Sequence, residues 1–419
     1  MTDAADVGVA RRSGRVPPMA ELVGVLAASG LSILGSRISF VAIPWLVLVT
    51  TGSPTRMGLV AAAELVPYVV ATALGGPLID RVGVRRTAIS VDAASAATTA
   101  AIVVFSDLGL TTLLLLVALL GGLRGFGDNA KKVLVPPAAQ AAGAAMVRVT
   151  AIFDGMSRLA MMVGVSVAGV LIAWQDAPTT IAVTALSFAV SAVLVSWVTR
   201  PTDGDTDRPA REPYLRAMTV AVAHLRQDRI TFNVVAMLFA INVFNQASGV
   251  VFIPLWADEV LGSPVAFGAI LGTTGAGLVI GNVVFTVLAT RVPRYATLTL
   301  GFLIGGAPRF AVLGLSDDLT TVLVVSFVAG CALSSVNPII GVLMFDRTPE
   351  ALRARVFGLG SAVAFAGLPV GGLLGGWAVA VLDLRPALLL TAALYLAAAL
   401  VPVVGYRTWR QLDPAEPEP

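Results

Sequence analysis

Two long apolar stretches of the chain are separated by the polar segment GGPLIDRVGVRR, residues 75–86. Gly83 permits a tight reversal of the chain, because glycine reaches backbone angles closed to other residues. Asp80 can pair with a nearby arginine or face the N-terminus of a helix. Three arginines of the segment would lie among lipid headgroups: Arg81, Arg85 and Arg86. We interpret the segment as a short turn at a membrane surface.

The composition around this turn favours a lipid-facing exterior. Of the 419 residues, 57% are hydrophobic and 13% are charged, and the mean hydropathy is +0.88. Soluble proteins usually carry about 25% charged residues. Too few polar residues remain to cover a water-soluble body. The net charge of +3 comes from dispersed arginines and lysines, so we expect no nucleic-acid partner.

Twelve apolar stretches are long enough to cross a bilayer, which takes about 20 residues per helix. We predict an all-α membrane protein of about twelve transmembrane helices in two pseudo-symmetric six-helix bundles. The fourth stretch is predicted to cover about residues 111–129. The predicted parts are a cytoplasmic tail at 1–21, an N-terminal bundle at 22–199, a linker with a surface amphipathic helix at 200–229, a C-terminal bundle at 230–407 and a cytoplasmic tail at 408–419.

The basic residues predict the orientation, because arginine and lysine accumulate on the cytoplasmic side of a membrane. Placing both termini in the cytoplasm leaves only Arg56 and Arg385 in outer loops. Lys131 and Lys132 then fall in a cytoplasmic segment. The outer loops instead carry acids such as Asp176 and Asp318. We therefore predict a multi-pass protein of the inner (cytoplasmic) cell membrane.

The turn at 75–86 resembles the G-x-L-x-D-R-x-G-R-K motif of the major facilitator superfamily. Gly76, Asp80, Arg81 and Gly83 match the pattern, and Val84 stands where the family has arginine. The turn at 289–294 resembles a degraded copy in the second half. The resemblance implies the major facilitator fold with two parallel repeats.

Three more segments extend the resemblance. Residues 41–54 are similar to the first helix and loop of a bacterial exporter branch that includes macrolide and siderophore exporters. Leu123-Arg124-Gly125 is similar to a family motif built on a membrane-embedded arginine. Residues 163–169 resemble the antiporter pattern G-P-x-x-G-G, with Val165 in place of proline. These segments imply export, with antiport as one form of it.

Several charged residues fall inside predicted spans, where a charge costs roughly 2.5 to 3.5 kcal/mol at the bilayer centre. They should therefore point into the bundle. Two pairs have the i, i+4 spacing that allows pairing on one helix face. These pairs are Arg124 with Asp128 and Asp154 with Arg158. We predict that they form a buried charge network, which could also be purely structural.

Glu64 and Asp92 are the candidates for proton coupling. Glu64 has no basic neighbour in its own span. A carboxyl group in a cavity of low dielectric constant can bind and release protons near neutral pH. Arg37 is predicted as the switchable partner of Glu64.

The second half carries few polar residues in its spans. The candidates for lining a substrate cavity are Asn242, Asn245, Gln246, Arg309 and Asn337. Each could instead bond helices together. A mostly apolar cavity suits an amphipathic molecule.

The sequence thus predicts a proton-coupled secondary transporter, a monomer that exports a small amphipathic molecule such as a drug or secondary metabolite. The alternatives are an uptake permease and a lipid-handling membrane protein. An enzyme is not expected, since the chain has one histidine, His224, and one cysteine, Cys331. No cofactor and no metal site is predicted, and no phosphate-binding loop of an ATPase is present.

Overall fold

The fold is that of a helical membrane protein. The computed structural model describes residues 17–104, 109–199, 222–223, 225–288, 291–349 and 352–409. In these ranges, eleven helices are long and apolar enough to cross a membrane. A further helix, Met146–Trp174, has 29 residues and is apolar from Val163 to its end. These twelve helices agree with the predicted number.

We number the twelve helices along the chain and refer to them by ordinal. In the first half they are Pro18–Thr51, Pro54–Leu74, Val84–Val104, Leu110–Ala141, Met146–Trp174 and Ala177–Val198. In the second half they are Arg229–Leu261, Pro264–Leu288, Arg294–Leu315, Leu319–Arg347, Arg353–Leu382 and Leu384–Val404. The seventh contains a π-helical turn at Ser248–Phe252.

The helices of each half pack mainly on one another. The first helix packs on the fifth and sixth, the second on the fourth, and the third on the fourth and sixth. In the second half, the seventh packs on the eleventh, the eighth on the tenth, and the ninth on the tenth and twelfth. The most extensive contacts between the halves join the second helix with the eleventh and the fifth with the eighth.

The same turn joins the first two helices of each half. Gly52-Ser53-Pro54 and Gly262-Ser263-Pro264 have identical residues, and both glycines have φ of +58°. Glycine adopts the left-handed backbone conformation at the end of a helix without steric strain, and proline suits the first turn of the next helix. This repeat supports the parallel relation between the halves.

The acids of two predicted outer loops cap helices. The side chain of Asp176 accepts a hydrogen bond from the backbone N–H of Thr179 at 2.6 Å. The side chain of Asp318 accepts one from the N–H of Thr321 at 2.8 Å. Such caps satisfy N–H groups that a helix leaves unpaired at its start. The acids thus have a structural use besides the charge asymmetry.

The two halves touch most closely near the end predicted to be extracellular, which we call the outer end. A Cβ atom added to Gly58 would lie 2.1 Å from the carbonyl oxygen of Gly372. One added to Gly169 would lie 2.8 Å from that of Pro264. The backbones meet directly there, and only glycine permits this approach.

Candidate functional site

A cavity of about 780 Å³ lies between the two halves. It reaches Met344 and Phe357, which lie about one turn from the inner ends of the tenth and eleventh helices. Most of its wall is apolar. The predicted residues that line it are Arg37, Glu64, Arg124 and Asp128 from the first half and Asn242, Asn245, Gln246, Arg309 and Asn337 from the second.

Glu64 forms an ion pair with Arg124 across the second and fourth helices. Their side chains are 12% and 15% exposed, so the pair lies in the cavity wall largely shielded from solvent. Gly121 lets the second and fourth helices come close enough for this pair, because a Cβ atom there would lie 1.9 Å from the backbone oxygen of Glu64. The pair therefore depends on the close packing of two helices.

This pairing corrects two predictions. Arg37 was expected to pair with Glu64, and Asp128 with Arg124, but Glu64 and Arg124 pair with each other. Asp128 instead accepts a hydrogen bond from the hydroxyl of Tyr68 at 3.2 Å. Arg124 reaches an acid on a neighbouring helix instead of Asp128, which lies four residues along its own helix. In the described part of the chain, the Nε atom of Arg37 is buried without a hydrogen-bond partner.

Asp92 does not line the cavity and lies in the core of the first half, where it is 2% exposed. The Nζ atom of Lys131 lies 2.7 Å and 3.0 Å from its two carboxylate oxygens. Ser191 donates a further hydrogen bond at 2.6 Å. Lys131 also donates one to Ser32 at 2.5 Å. The cluster joins the first, third, fourth and sixth helices.

The prediction that the fourth helix ends before Lys131 is therefore wrong. The fourth helix continues to Ala141 instead of ending near residue 129, and Lys131 is 3% exposed within it. Lys132, its neighbour in sequence, is exposed and points the other way. Two consecutive lysines are typical of a loop, but here they face opposite sides of one helix.

In the second half, Arg309 is the charged residue of the cavity wall. It donates a hydrogen bond from Nη2 to the side-chain oxygen of Asn245. Its guanidinium carbon lies 4.8 Å from the ring centre of Phe310 and 5.9 Å from that of Tyr395. Asn242 has a structural partner, since its amide donates to the backbone oxygen of Ala364 at 2.9 Å. Gln246 is buried, and Asn337 lines the cavity from the tenth helix.

Comparison with known proteins identifies the family. The model of the major facilitator family described as "Transmembrane secretion effector" matches residues 18–415. The chain belongs to this family.

Relatives of this secretion-effector chain include multidrug exporters. It is 29% identical over 378 residues to the multidrug efflux pump Tap of Mycobacterium tuberculosis, covering 87% of this chain and 88% of the relative. It is 27% identical over 363 residues to Tap of Mycolicibacterium fortuitum, with 85% and 88% covered. The chain is thus a transporter of the drug-exporter branch and not an enzyme.

Solved structures show the same fold. The nucleoside transporter NupG has a TM-score of 0.76 at 13% identity, with 92% of this chain and 99% of NupG covered. An inward-facing bacterial homologue of the lysosomal transporter Spinster has a TM-score of 0.66 at 13% identity, with 96% and 98% covered. Both likenesses concern the fold alone.

The turn at 75–86 lies between the second and third helices. Gly76 begins a short helix, Gly76–Val82, and Gly83 ends it with φ of +93°. Arg85 donates hydrogen bonds to the backbone oxygens of Thr199 at 2.9 Å and Ser196 at 2.8 Å. It thereby ties the turn to the end of the sixth helix. Arg81 and Arg86 are exposed.

Three side chains for which the sequence predicts a role lie outside what the structure describes. These are the side chains of Asp80, Asp154 and Arg158. The linker at 200–221 and His224 also lie outside the described residues. Their predicted roles stay predictions.

Sequence reasoning missed Tyr68, Lys131 and Tyr395. Tyr68 lies four residues after Glu64, so helical spacing places it on the same face. Lys131 lies seven residues after Arg124, which is also the same helix face. Tyr395 carries no comparable signal, because its contact with Arg309 joins two helices distant in sequence.

Proposed function

We propose that this transporter is a proton-coupled exporter of small amphipathic molecules that works by alternating access. One observation carries the proposal: a mostly apolar cavity between the two halves contains the Glu64–Arg124 ion pair. An apolar wall with a few placed polar groups suits an amphipathic ligand. The efflux function of the Tap relatives agrees with this direction of transport.

Glu64 is the proposed proton carrier. As a carboxylate it neutralises Arg124 in surroundings where an unpaired charge is costly. Protonation would remove the negative charge and release the guanidinium. Because Gly121 brings the two helices together at this pair, release would also weaken the contact between the second and fourth helices. A proton could thus change both the charge and the shape of the cavity wall.

Arg37 has a proposed role in the same step. It lines the cavity on the first helix, beside the paired groups. Once the proton leaves, the Glu64 carboxylate would find in Arg37 a second cation to pair with, besides Arg124. The exchange of partners among these residues would let the pair re-form after the proton leaves.

The proposed cycle begins from the state seen here. The close glycine contacts lie at the outer end, and the cavity extends toward the opposite end. With both termini in the cytoplasm, this state is open to the inside. Separation of the second helix from the eleventh, and of the fifth from the eighth, would open the outer end. A proton entering down a potential of 100 mV supplies about 2.3 kcal/mol.

The test is transport in sealed vesicles that contain the purified protein in a known orientation. A panel of amphipathic compounds is added, and compound movement and internal pH are recorded together. We expect compounds to accumulate on the outer side while protons move to the inner side. The Glu64→Gln protein should lose the coupled proton flux, and Arg385→Gln, a change at the exposed outer surface, should keep it.

Three results would contradict the proposal. Accumulation on the inner side would indicate an uptake permease. Compound movement with no accompanying proton flux would remove the coupling. Wild-type rate and pH profile in the Glu64→Gln protein would remove Glu64 from the mechanism.

A further inference from the structure

The charges of the cavity wall are unevenly distributed between its two sides. The first half contributes two arginines and two acids, Arg37 and Arg124 with Glu64 and Asp128, which cancel formally. The second half contributes Arg309. Among the residues that the structure describes, no carboxylate lies within ion-pair distance of Arg309. Among the described residues that line the cavity, one positive charge therefore has no counter-ion.

The guanidinium of Arg309 is held in place without being neutralised. Asn245 accepts one hydrogen bond from it, and an amide oxygen has no net charge. The rings of Phe310 and Tyr395 cover it at 4.8 Å and 5.9 Å, and they are buried behind the cavity wall. Its Nε atom is buried and has no partner in the described part of the chain. Arg309 itself is only partly buried and lines the cavity, so the rest of its guanidinium can face a bound molecule.

An unpaired cation in such surroundings is costly, and it is retained in proteins mostly where it has a use. The aromatic cluster behind Arg309 fixes its position, with Phe244 lying 5.3 Å and Phe310 5.9 Å from Tyr395 between ring centres. A planar guanidinium held in this way matches the two oxygens of a carboxylate. Beside it, the wall offers apolar contact to Ile241, Phe302 and Leu313.

We infer that Arg309, positioned by Asn245, binds an acidic group of the transported molecule, so that the preferred substrates are organic anions with an apolar body. This inference rests on the proposed function, because it names the substrate class of the same cavity. The anion supplies the counter-charge that the chain lacks on this side. The apolar body of the substrate lies against the neighbouring aliphatic and aromatic side chains.

The experiment compares two probes of one shape, 1-naphthoate and 1-naphthamide, which differ in charge. Each is titrated into the full-length protein in detergent, and affinity is read from the rise in melting temperature. A charge-assisted hydrogen bond should give the anion about tenfold tighter binding than the amide. Arg309→Gln should reduce this ratio to about one, and Arg309→Lys should leave a smaller preference, since ammonium makes no bidentate contact.

Two further variants serve as controls. Arg385→Gln removes the same charge from the exposed outer surface and should keep the full ratio. Asn245→Ala keeps the charge and removes its positioning partner, so it should lower the ratio without abolishing it. If Arg309→Gln does not fold, Arg309→Lys and Asn245→Ala still test the inference.

Equal affinities of the wild-type protein for naphthoate and naphthamide would overturn the inference. An affinity ratio that is unchanged in Arg309→Gln would also overturn it. Displacement of naphthoate by millimolar chloride, but not by gluconate, would indicate a site for inorganic anions and would overturn it as well. The assay needs no gradient and no transport. An anion preference without proton-driven transport would contradict only the proposed function, and transport without an anion preference would contradict only this inference.

Discussion

Two buried acid–base pairs stand within one six-helix half, and they differ in their surroundings. Glu64 and Arg124 lie in the wall of the cavity and keep 12% and 15% exposure. Asp92 and Lys131 lie in the core, at 3% and 4% side-chain exposure, and two serines complete their hydrogen bonds. The difference suggests that a proton can reach the first pair, while the second pair is enclosed on all sides. Burial alone therefore does not identify a proton-coupling residue.

The largest effect is expected from breaking the core pair. Asp92→Asn leaves the Lys131 ammonium buried without its counter-ion, which costs about 3–5 kcal/mol. We expect a marked fall in melting temperature and in the yield of folded protein, measured by thermal unfolding in detergent. The double variant Asp92→Asn, Lys131→Met removes both charges and should recover most of the loss. Wild-type stability in Asp92→Asn would contradict a structural pair and return Asp92 to the proton-coupling candidates.

Glu64→Gln should have a small effect on stability and a large effect on transport. The cavity can admit water to the unpaired Arg124, so the loss of unfolding free energy should be about 1–2 kcal/mol, less than in the core. Proton-coupled transport should fall to background, because a glutamine cannot exchange a proton. Vesicle transport and melting temperature measured on the same preparation would separate the two effects. A Glu64→Gln protein as unstable as Asp92→Asn would remove the contrast between the pairs.

Two neighbouring glycines of the fourth helix offer a matched comparison of variants. A methyl group at Gly121 would meet the backbone of Glu64 and push the second helix away, at a cost of typically 1–3 kcal/mol. Gly121→Ala should also lower transport by displacing Glu64 from Arg124. At the adjacent Gly122, the nearest atom to such a methyl group is 3.6 Å away, so Gly122→Ala should be neutral or slightly stabilising. Equal transport by the two variants would show that the helix approach does not set the pair.

The smallest effect belongs to an acid outside the membrane. Hydrogen bonds from the Thr179 side chain and backbone hold the pKa of Asp176 below its usual value. A lowered pKa in the folded state gives stability that is present above the unfolded pKa and lost as pH falls through the folded value, here below about pH 4. In Asp176→Asn the melting temperature should therefore fall less steeply as the pH is lowered, by about one degree. An unchanged acid limb would show that this cap contributes nothing measurable.

Much of the fold followed from the sequence, because lipid imposes simple rules on length and apolarity. The twelve helices and the turn at 75–86 were predicted from these rules. The end of the fourth helix was not, because Lys131 reads as a surface residue unless its partner is known. Its partner, Asp92, lies on another helix and 39 positions away in the chain.

Most of the polar residues that line the candidate cavity were predicted from the sequence, whereas their pairings were not. The five candidates of the second half all line the cavity, as do four of the charged residues of the first half. Which acid pairs with which arginine depends on the rotation and spacing of neighbouring helices. Those are set by contacts such as that of Gly121, and spacing within one helix does not reveal them.

The glycine contacts between the halves have a consequence for the opening that we propose. Gly58 and Gly376 of the second and eleventh helices meet backbone directly, with no side chain between them. A closure of this kind contains no rotamer to rearrange, so in the proposed cycle the two surfaces would part as rigid bodies. One added methyl group would hold them apart and raise the population of the outward-open form, with every residue of the cavity left untouched. The balance between the two states and the chemistry of binding can thus be altered separately.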